Sequence, residues 1–380
     1  MILRLRPSRL RGRIEVPPSR SLLHRELICR CLAGQSTVLP PHAARDVVAT
    51  ARGLEQLTAA RPVIDCGDSE CALRLLVPVF MALGRTGAVF TGTERLLALP
   101  DPADMGLEAV SGGLRLTRPL QGGTWRLPAA GNSRVVTGLL LALPLLPEDS
   151  AIELTGEAAD SACLRMTAAV MDRHGVTAEI TERGCRIPGG QMYRPGPELE
   201  EPDWSAAAFW EVLSAVQKRR GRGRLRVPMG HPPYLQGDAA IMELMERLPP
   251  EVDVSDTPDL LLPLLLYAAL QPETTTRFAC AALPGTKERD RLAAAVGLLR
   301  TMGAAIEEQT CGLTVTGSDT LHGCAADTDG DDRIAMLAGC AAMLADSPTT
   351  LRGAEAVARA YPAFWRDMET AGGRWEILEA

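Results

Sequence analysis

Leu299-Arg300-Thr301-Met302-Gly303, running straight into residues 304–316, is the stretch that decides the fold. Its apolar positions come at helical spacing, and its glycine can take the left-handed conformation that ends a helix. The residues after it read as a pair of short strands. Met171-Asp172-Arg173-His174-Gly175 leads into 176–187 in the same way, and 110–116 and 373–378 echo the strand part. A recurring helix, glycine turn and strand pair points to a repeated α/β module rather than one doubly wound sheet. At 380 residues the chain can hold two or three domains with substantial cores. Residues 2–14 alternate loosely before Val16-Pro17-Pro18 and read as a strand entering a loop. Residues 189–202, rich in Gly and Pro, break the pattern mid-chain and read as a linker.

Composition narrows the function class. Hydrophobic residues make up 46% and charged residues 23%, the balance of a globular protein, and aromatics only 4%, so Leu, Val, Ala and Met must build the core. A net charge of −7, with no basic block beyond residues 218–226, argues against a nucleic-acid partner. The longest apolar run, near residues 260–270, is short and broken by proline, so no membrane association is expected. The Arg-rich N-terminus has no apolar signal core, which predicts a cytoplasmic protein. Ten cysteines are scattered with no CxxC pair and no Cys/His ligand spacing. They read as small core residues in a reducing compartment, not as disulfides or zinc ligands.

The densest chemistry lies in Pro284-Gly285-Thr286-Lys287-Glu288-Arg289-Asp290-Arg291. A Pro-Gly turn followed by charges and then Leu292, Val296, Leu298 and Leu299 predicts a loop entering a helix, whose first N–H groups favour anions. Lys287 and Arg291 fall on one helical face. Only two of the forty basic residues are lysines, Lys218 and Lys287, so a compact ammonium in this cluster suggests a specific need. The plain alternative is a solvated, salt-bridged first turn. Ser19 precedes an apolar run (Leu22, Leu23, Leu27, Ile28) and can cap a helix there. Cys66 to Arg74, Gly131 to Arg134, Asp256 to Asp259 and Asp329 to Met336 each read as a small-residue turn opening a helix. Singly, such turns are caps. Together with many arginines they suggest a small polyanionic substrate.

In this order the segments resemble the enolpyruvyl transferases over nearly the whole chain. Ser19-Arg20-Ser21-Leu22-Leu23-His24-Arg25 is similar to the family's SKSxxxR, and Gly67 to Arg74 stands at its GNSGTxxR. Gln236-Gly237-Asp238 matches QGD, Lys287 to Arg291 matches KETDR, and Asp331 to Met336 matches DHRIAM. Ala358-Arg359-Ala360-Tyr361-Pro362 stands at the Lys-Thr-Phe-Pro close. QGD with KExDR points to the shikimate branch, and the reactive cysteine loop of the UDP-N-acetylglucosamine branch is not evident. The resemblance implies an α/β (α+β) fold of two lobes, each an inside-out barrel of three βαβαββ units. One lobe would comprise 1–17 plus 204–380 and the other 18–203, with the active site in the cleft between them. The implied reaction moves the enolpyruvyl group of phosphoenolpyruvate to the 5-hydroxyl of shikimate 3-phosphate. It passes through a tetrahedral ketal phosphate and needs no metal or organic cofactor. The expected partners are these small anions alone, bound by a monomer.

Residue by residue, the resemblance makes Asp259, Glu288, Lys287 and Arg20 catalytic. It gives Ser21, Arg25, Ser133, Arg134 and Lys287 to shikimate 3-phosphate, and Arg20, Arg291, Arg333 and Arg359 to phosphoenolpyruvate and phosphate. Arg74 supports its loop. The chain also departs from the pattern. Arg20 and Arg359 stand at lysine positions, Glu70 at a glycine, Leu99 at an arginine, and Asp332 at a histidine. Asn132-Ser133-Arg134 replaces Ser-Ser-Gln, and Asp160 and Cys163 replace a serine and a tyrosine. Pairing of Arg134 with Asp160 would restore local neutrality. Two readings stay open: a divergent transferase that uses arginines in place of lysines, and a catalytically impaired paralogue that binds a phosphorylated acid without enolpyruvyl transfer.

Overall fold

The structure is a computed structural model. It describes residues 1–380 apart from 42, 100–104, 130–131, 157–160, 200, 280–285, 310–311 and 380, and it leaves the side chains of 161 and 286–288 undescribed. The chain divides into two compact units, one of Met1–Pro17 with Pro202–Ala380 and one of Pro18–Glu201. They are called unit 1 and unit 2 below.

Unit 2 carries helices α1 (Arg20–Leu32), α2 (Arg45–Glu55), α3 (Glu70–Ala82), α4 (Glu94–Leu97), α5 (Ser133–Ala142) and α6 (Ser161–Arg173). Its two four-stranded sheets repeat one plan. In the first, β3 (Val63–Asp65) runs parallel to β4 (Val89–Thr91), and β6 (Gly113–Leu116) pairs antiparallel with both β4 and β5 (Leu107–Val110). In the second, β7 (Gly123–Pro128) is parallel to β8 (Ser150–Thr155), and β10 (Gly184–Ile187) lies antiparallel between β8 and β9 (Glu179–Thr181). Each is a βαβαββ module. A helix returns the chain to a parallel neighbour, and a hairpin then closes the edge.

Unit 1 carries α7 (Trp204–Arg219), α8 (Ile241–Glu246), α9 (Leu261–Ala269), α10 (Thr286–Thr301), α11 (Asp332–Leu344) and α12 (Phe364–Thr370). The same plan recurs in β12 (Glu251–Asp253), β13 (Thr275–Ala279), β15 (Gly312–Thr316) and β14 (Ala305–Gln309), in that spatial order. The last sheet has β16 (Ala325–Asp327) parallel to β17 (Thr349–Arg352), then β1 (Ile2–Arg6), then β18 (Arg374–Glu379). Here the first strand of the chain fills the place that a hairpin strand takes elsewhere, with Leu3 opposite Leu351 and Leu5 opposite Trp375. The predicted strand over 2–14 is therefore two, because β2 (Arg11–Arg13) leaves β1 and pairs parallel with β11 (Arg224–Arg226).

The scarce aromatics are concentrated in unit 1. Trp210, Tyr361, Phe364 and Trp365 pack at steep ring angles, mostly edge to face, with centroids 5.0–6.5 Å apart, inside a core that is mainly aliphatic. In unit 2, α3 and α5 touch at Gly138, where a Cβ would lie 2.4 Å from the Arg74 carbonyl oxygen. Pro78 has no N–H to give that carbonyl, so a backbone contact takes the space. The stretch read as a linker, 189–202, does contain the crossing between the units, at Glu201 and Pro202, but residues 189–196 form a strap packed on unit 2. Gly190 and Gln191 donate to the carbonyls of Leu146 and Pro144, and the buried Tyr193 hydroxyl donates to Leu141. Glycines and prolines are there because the backbone bends closely over other backbone, not because it is loose.

Candidate functional site

In unit 2 the expected residues gather at helix starts. Ser19 caps α1 by accepting from Leu22 N, which sets Arg20 and Ser21 in the first turn. Arg20 Nη1 lies 3.4 Å from Asp46 Oδ2 at the start of α2, and Ser21 is exposed. Arg25, one turn further on, is only 6% exposed. It donates to the Ser21 carbonyl (2.6 Å), Thr167 Oγ1 (2.8 Å), Thr137 Oγ1 (3.1 Å) and Cys163 Sγ (3.0 Å), all neutral groups. Ser133 and Arg134 open α5, and Glu70 opens α3 behind its cap Ser69. Arg134 Nη1 is 3.3 Å from Glu70 Oε2. Arg134 thus meets Glu70, and Asp160, the partner expected for it, lies outside the described residues. Leu99 is half-buried just after α4.

The electrostatics of this end of unit 2 centre on three groups. Burial opposes the charged form of the His24 imidazole, but Asp46 and Cys71 outweigh it and push His24 up to about 9. Burial raises the Cys71 thiol, yet His24 and Arg134 bring it down to about 7. Asp46 is held well below the usual carboxylate range by His24 and Arg20, against its burial.

In unit 1 the expected residues converge on the start of α11. Asp331 caps that helix, accepting from Arg333 N (2.8 Å) and Ile334 N (3.2 Å). Arg291, from α10, grips the same carboxylate through Nε (3.0 Å) and Nη2 (2.9 Å) to Oδ2. Arg333, buried in the first turn of α11, donates from Nη2 to Asp259 Oδ2 (2.9 Å) and Ser205 Oγ (2.7 Å). Ser205 is held by Asp203, the cap of α7. Arg359 pairs with the buried Asp332. Burial would lower the Arg291 pKa, but Asp331, Asp259 and Asp332 raise it above its ordinary value. Three guanidinium groups from three segments thus share three aspartates.

Lys287 and Glu288 fall in the first turn of α10 by their backbone, as the sequence predicts, but their side chains lie outside the described residues. Gln236 ties down the entry to α7, with Nε2 donating to Pro202 O and Oε1 accepting from Trp204 N. Sequence reading identified the 329–336 turn as a helix start but did not foresee Asp331 as the partner of Arg291. Ser205, Thr137 and Thr167, which hold two of the arginines, carried no signal, because each is remote in sequence from the residue it serves.

Both clusters set guanidinium groups and carboxylates together at helix starts. A model of the EPSP synthase family, 3-phosphoshikimate 1-carboxyvinyltransferase, matches residues 5–368. The chain belongs to the EPSP synthase family. Among its relatives, the 3-phosphoshikimate 1-carboxyvinyltransferase of Halobacterium salinarum is 34% identical over 96% of this chain and 97% of its own length. That of Clostridium kluyveri is 30% identical over 98% of each. The solved structure of an EPSP synthase from Acinetobacter baumannii is similar with a TM-score of 0.78 at 18% identity, covering 100% of both chains. The enolpyruvyl transferase NikO from Streptomyces tendae gives 0.70 at 17% identity, over 99% of this chain and 98% of that one. These structural likenesses bear on the fold, which is that of the enolpyruvyl transferases. No helix among the described residues is long and apolar enough to cross a membrane.

Proposed function

We infer that the chain is a 3-phosphoshikimate 1-carboxyvinyltransferase, moving the enolpyruvyl group of phosphoenolpyruvate to the 5-hydroxyl of shikimate 3-phosphate with release of phosphate. The observation that carries the assignment of roles is the unit 1 cluster, where Asp259 stays 43% exposed although Arg333 holds its Oδ2. A carboxylate hydrogen-bonded to a guanidinium through one oxygen, yet open to solvent, suits a group that accepts the hydroxyl proton. Glu288 protonates the methylene carbon as the oxygen adds, and takes that proton back when the ketal phosphate expels phosphate. Lys287 beside it, with Arg20, Arg291, Arg333 and Arg359, balances the phosphate and carboxylate charge of phosphoenolpyruvate. Ser21, Arg25, Ser133 and Arg134, with Lys287, hold shikimate 3-phosphate. Arginine in place of lysine at 20 and 359 keeps charge but gives up proton transfer at those positions, so the proton work rests on the two carboxylates.

The second reading, a binding paralogue, has an observation of its own. Arg20, Arg134, Arg291, Arg333 and Arg359 each have a carboxylate within 4.0 Å inside their own unit. A substrate anion must displace those carboxylates or share the guanidinium with them. Phosphate release from shikimate 3-phosphate and phosphoenolpyruvate decides between the two. Turnover that is lost in Asp259→Ala supports the transferase. Calorimetric binding of shikimate 3-phosphate without turnover supports the paralogue.

A further inference from the structure

A second cluster in unit 2 has no part in that reaction. His24 lies inside α1, Asp46 in the first turn of α2, and Cys71 at the second position of α3. One nitrogen, one carboxylate oxygen and one sulfur from these residues all lie within 4.8 Å of one another. Bond lengths to a tetrahedral zinc ion place such donors about 3.4–3.6 Å apart, and His24 Nε2 is 3.6 Å from Asp46 Oδ2. That spacing is too long for a hydrogen bond and right for two ligands of one ion.

The imidazole is already set for coordination. His24 is 2% exposed, and its Nδ1 lies 2.8 Å from Thr50 Oγ1. The Thr50 hydroxyl can donate onward to the Asp46 carbonyl at 3.4 Å, which leaves its oxygen to accept from Nδ1–H. With Nδ1 as the donor, Nε2 is the nitrogen turned to the cluster, buried and with no hydrogen-bond partner among the described residues; there an ion takes the place of the proton that Asp46 and Cys71 favour. An outer hydrogen bond that fixes the tautomer and aims the other nitrogen inward is how metal-bound histidines are held. Asp46 is prepared likewise, since Val47 N donates to Oδ1 at 2.8 Å and Oδ2 faces the cluster.

We propose that His24, Asp46 and Cys71 form a site for one zinc-class divalent metal ion, bound through imidazole, carboxylate and thiolate with a fourth position for water. The mixed N, O and S donor set selects Zn²⁺ or Co²⁺ over Mg²⁺ and Ca²⁺, which take oxygen ligands. Thiolate and carboxylate together balance the charge of the ion. The ion adds a covalent-strength tie among three helices, two of which, α1 and α2, already share the His24–Thr50 and Arg20–Asp46 contacts, so its role is structural. It also competes with Arg20, whose Nη1 lies 3.4 Å from the same Asp46 oxygen. Occupancy therefore weakens the hold of Asp46 on Arg20 at the start of α1, which links the ion to the site read above without placing it in the reaction.

The test uses the full chain, stripped with a chelator and titrated with Co²⁺ and then Zn²⁺. The expected result is one equivalent of Co²⁺ with a near-ultraviolet thiolate-to-metal band, displaced by Zn²⁺ and absent from Cys71→Ser and Asp46→Asn. In the unaltered protein, Zn²⁺ should slow alkylation of Cys71 by iodoacetamide at least tenfold, as mapped on its peptide by mass spectrometry. No thiolate band, a band unchanged in Cys71→Ser, or equal alkylation with and without Zn²⁺ would each overturn the site. The alkylation measurement needs no variant, so it stands even if a substituted chain fails to fold.

Discussion

Asp331 does two jobs that substitution can separate. It caps α11 through two backbone N–H groups and accepts from Arg291 Nε and Nη2, along one edge of the guanidinium. Alanine removes both roles. Loss of an N-cap is worth about 1 kcal/mol. Breaking a buried ion pair takes about 3–5 kcal/mol. The lower end or less applies here, about 2–3 kcal/mol, because both side chains keep 16% of their exposure and Asp259 and Asp332 still act on Arg291. Asp331→Ala should therefore destabilise unit 1 by about 3–4 kcal/mol, from the sum of these two effects. Asp331→Asn keeps an acceptor for the backbone and loses the charge, so it should recover about 1 kcal/mol of that. Urea unfolding followed by tryptophan fluorescence reads this well, since Trp204, Trp210, Trp365 and Trp375 lie in unit 1 and only Trp125 in unit 2. Equal losses in the two variants would show that the cap counts for nothing. An Asn variant as stable as the parent would show that the ion pair does not support the fold.

Other perturbations follow from single observations. Glu70→Gln removes an acid from beside Arg134 at a half-exposed pair. Stability should change by less than about 1 kcal/mol, while phosphoenolpyruvate, measured by calorimetry, should bind about five- to tenfold more tightly; unchanged affinity would mean that Glu70 does not face the ligand. Gly138→Ala should destabilise unit 2 by about 1–2 kcal/mol, since overpacking against the Arg74 carbonyl exceeds the helix-propensity gain. Gly297→Ala, in α10 with nothing within 4 Å of the new methyl, should instead stabilise by about 0.5–1 kcal/mol, and thermal unfolding of the pair checks both signs. Burial alone raises Glu211 of α7 from 4.5 to about 7. A carboxyl raised on folding lends stability that is complete below pH 4.5 and fades as pH climbs through 7. Glu211→Gln should thus match the parent at pH 4 in urea titrations and exceed it at pH 8.5 by up to about 3 kcal/mol; equal stability at both pH values would show that Glu211 is hydrated.

The repeated module was legible because each copy carries its own local marks. The glycines at 175 and 303 both take positive φ where a helix gives way to a strand pair. The helix starts at 70, 133, 286 and 332 were legible for the same reason, since caps and turns act over three or four residues. What the sequence did not disclose acts over long separations. The strand β1 belongs with β17 and β18, some 350 residues on, and nothing in its own residues says so. The linker reading located the crossing at Glu201 and Pro202 but missed that the residues before it are packed, because Gly and Pro mark sharp bends whether or not the bend is packed. The cysteines were taken as core filler for want of a ligand spacing. That holds for the buried Cys29, Cys66, Cys185 and Cys340, but positions 24, 46 and 71 meet only once three helices have folded together.

The departures at single positions make more sense taken together than apart. Arginine at 20 and 359 stays charged at any working pH, even when desolvated, whereas lysine can shed its proton. Arg291, Arg333 and Arg359 gathered at the start of α11 without counter-charges would repel one another and the helix's own positive end. Asp259, Asp331 and Asp332 offset that repulsion, and two of them are fixed by α11 itself, one as its cap and one in its first turn. Asp259 and Asp331 belong to the family pattern; the one departure here is Asp332, at the histidine position, and it pairs with Arg359, at the lysine position, so the two departures offset each other. A phosphorylated acid then binds by exchange, giving guanidinium groups an oxyanion in place of an aspartate. Most of the Coulomb gain cancels in such an exchange, so affinity should rest on geometry, on bidentate grip and on how far each aspartate can turn away, rather than on net charge.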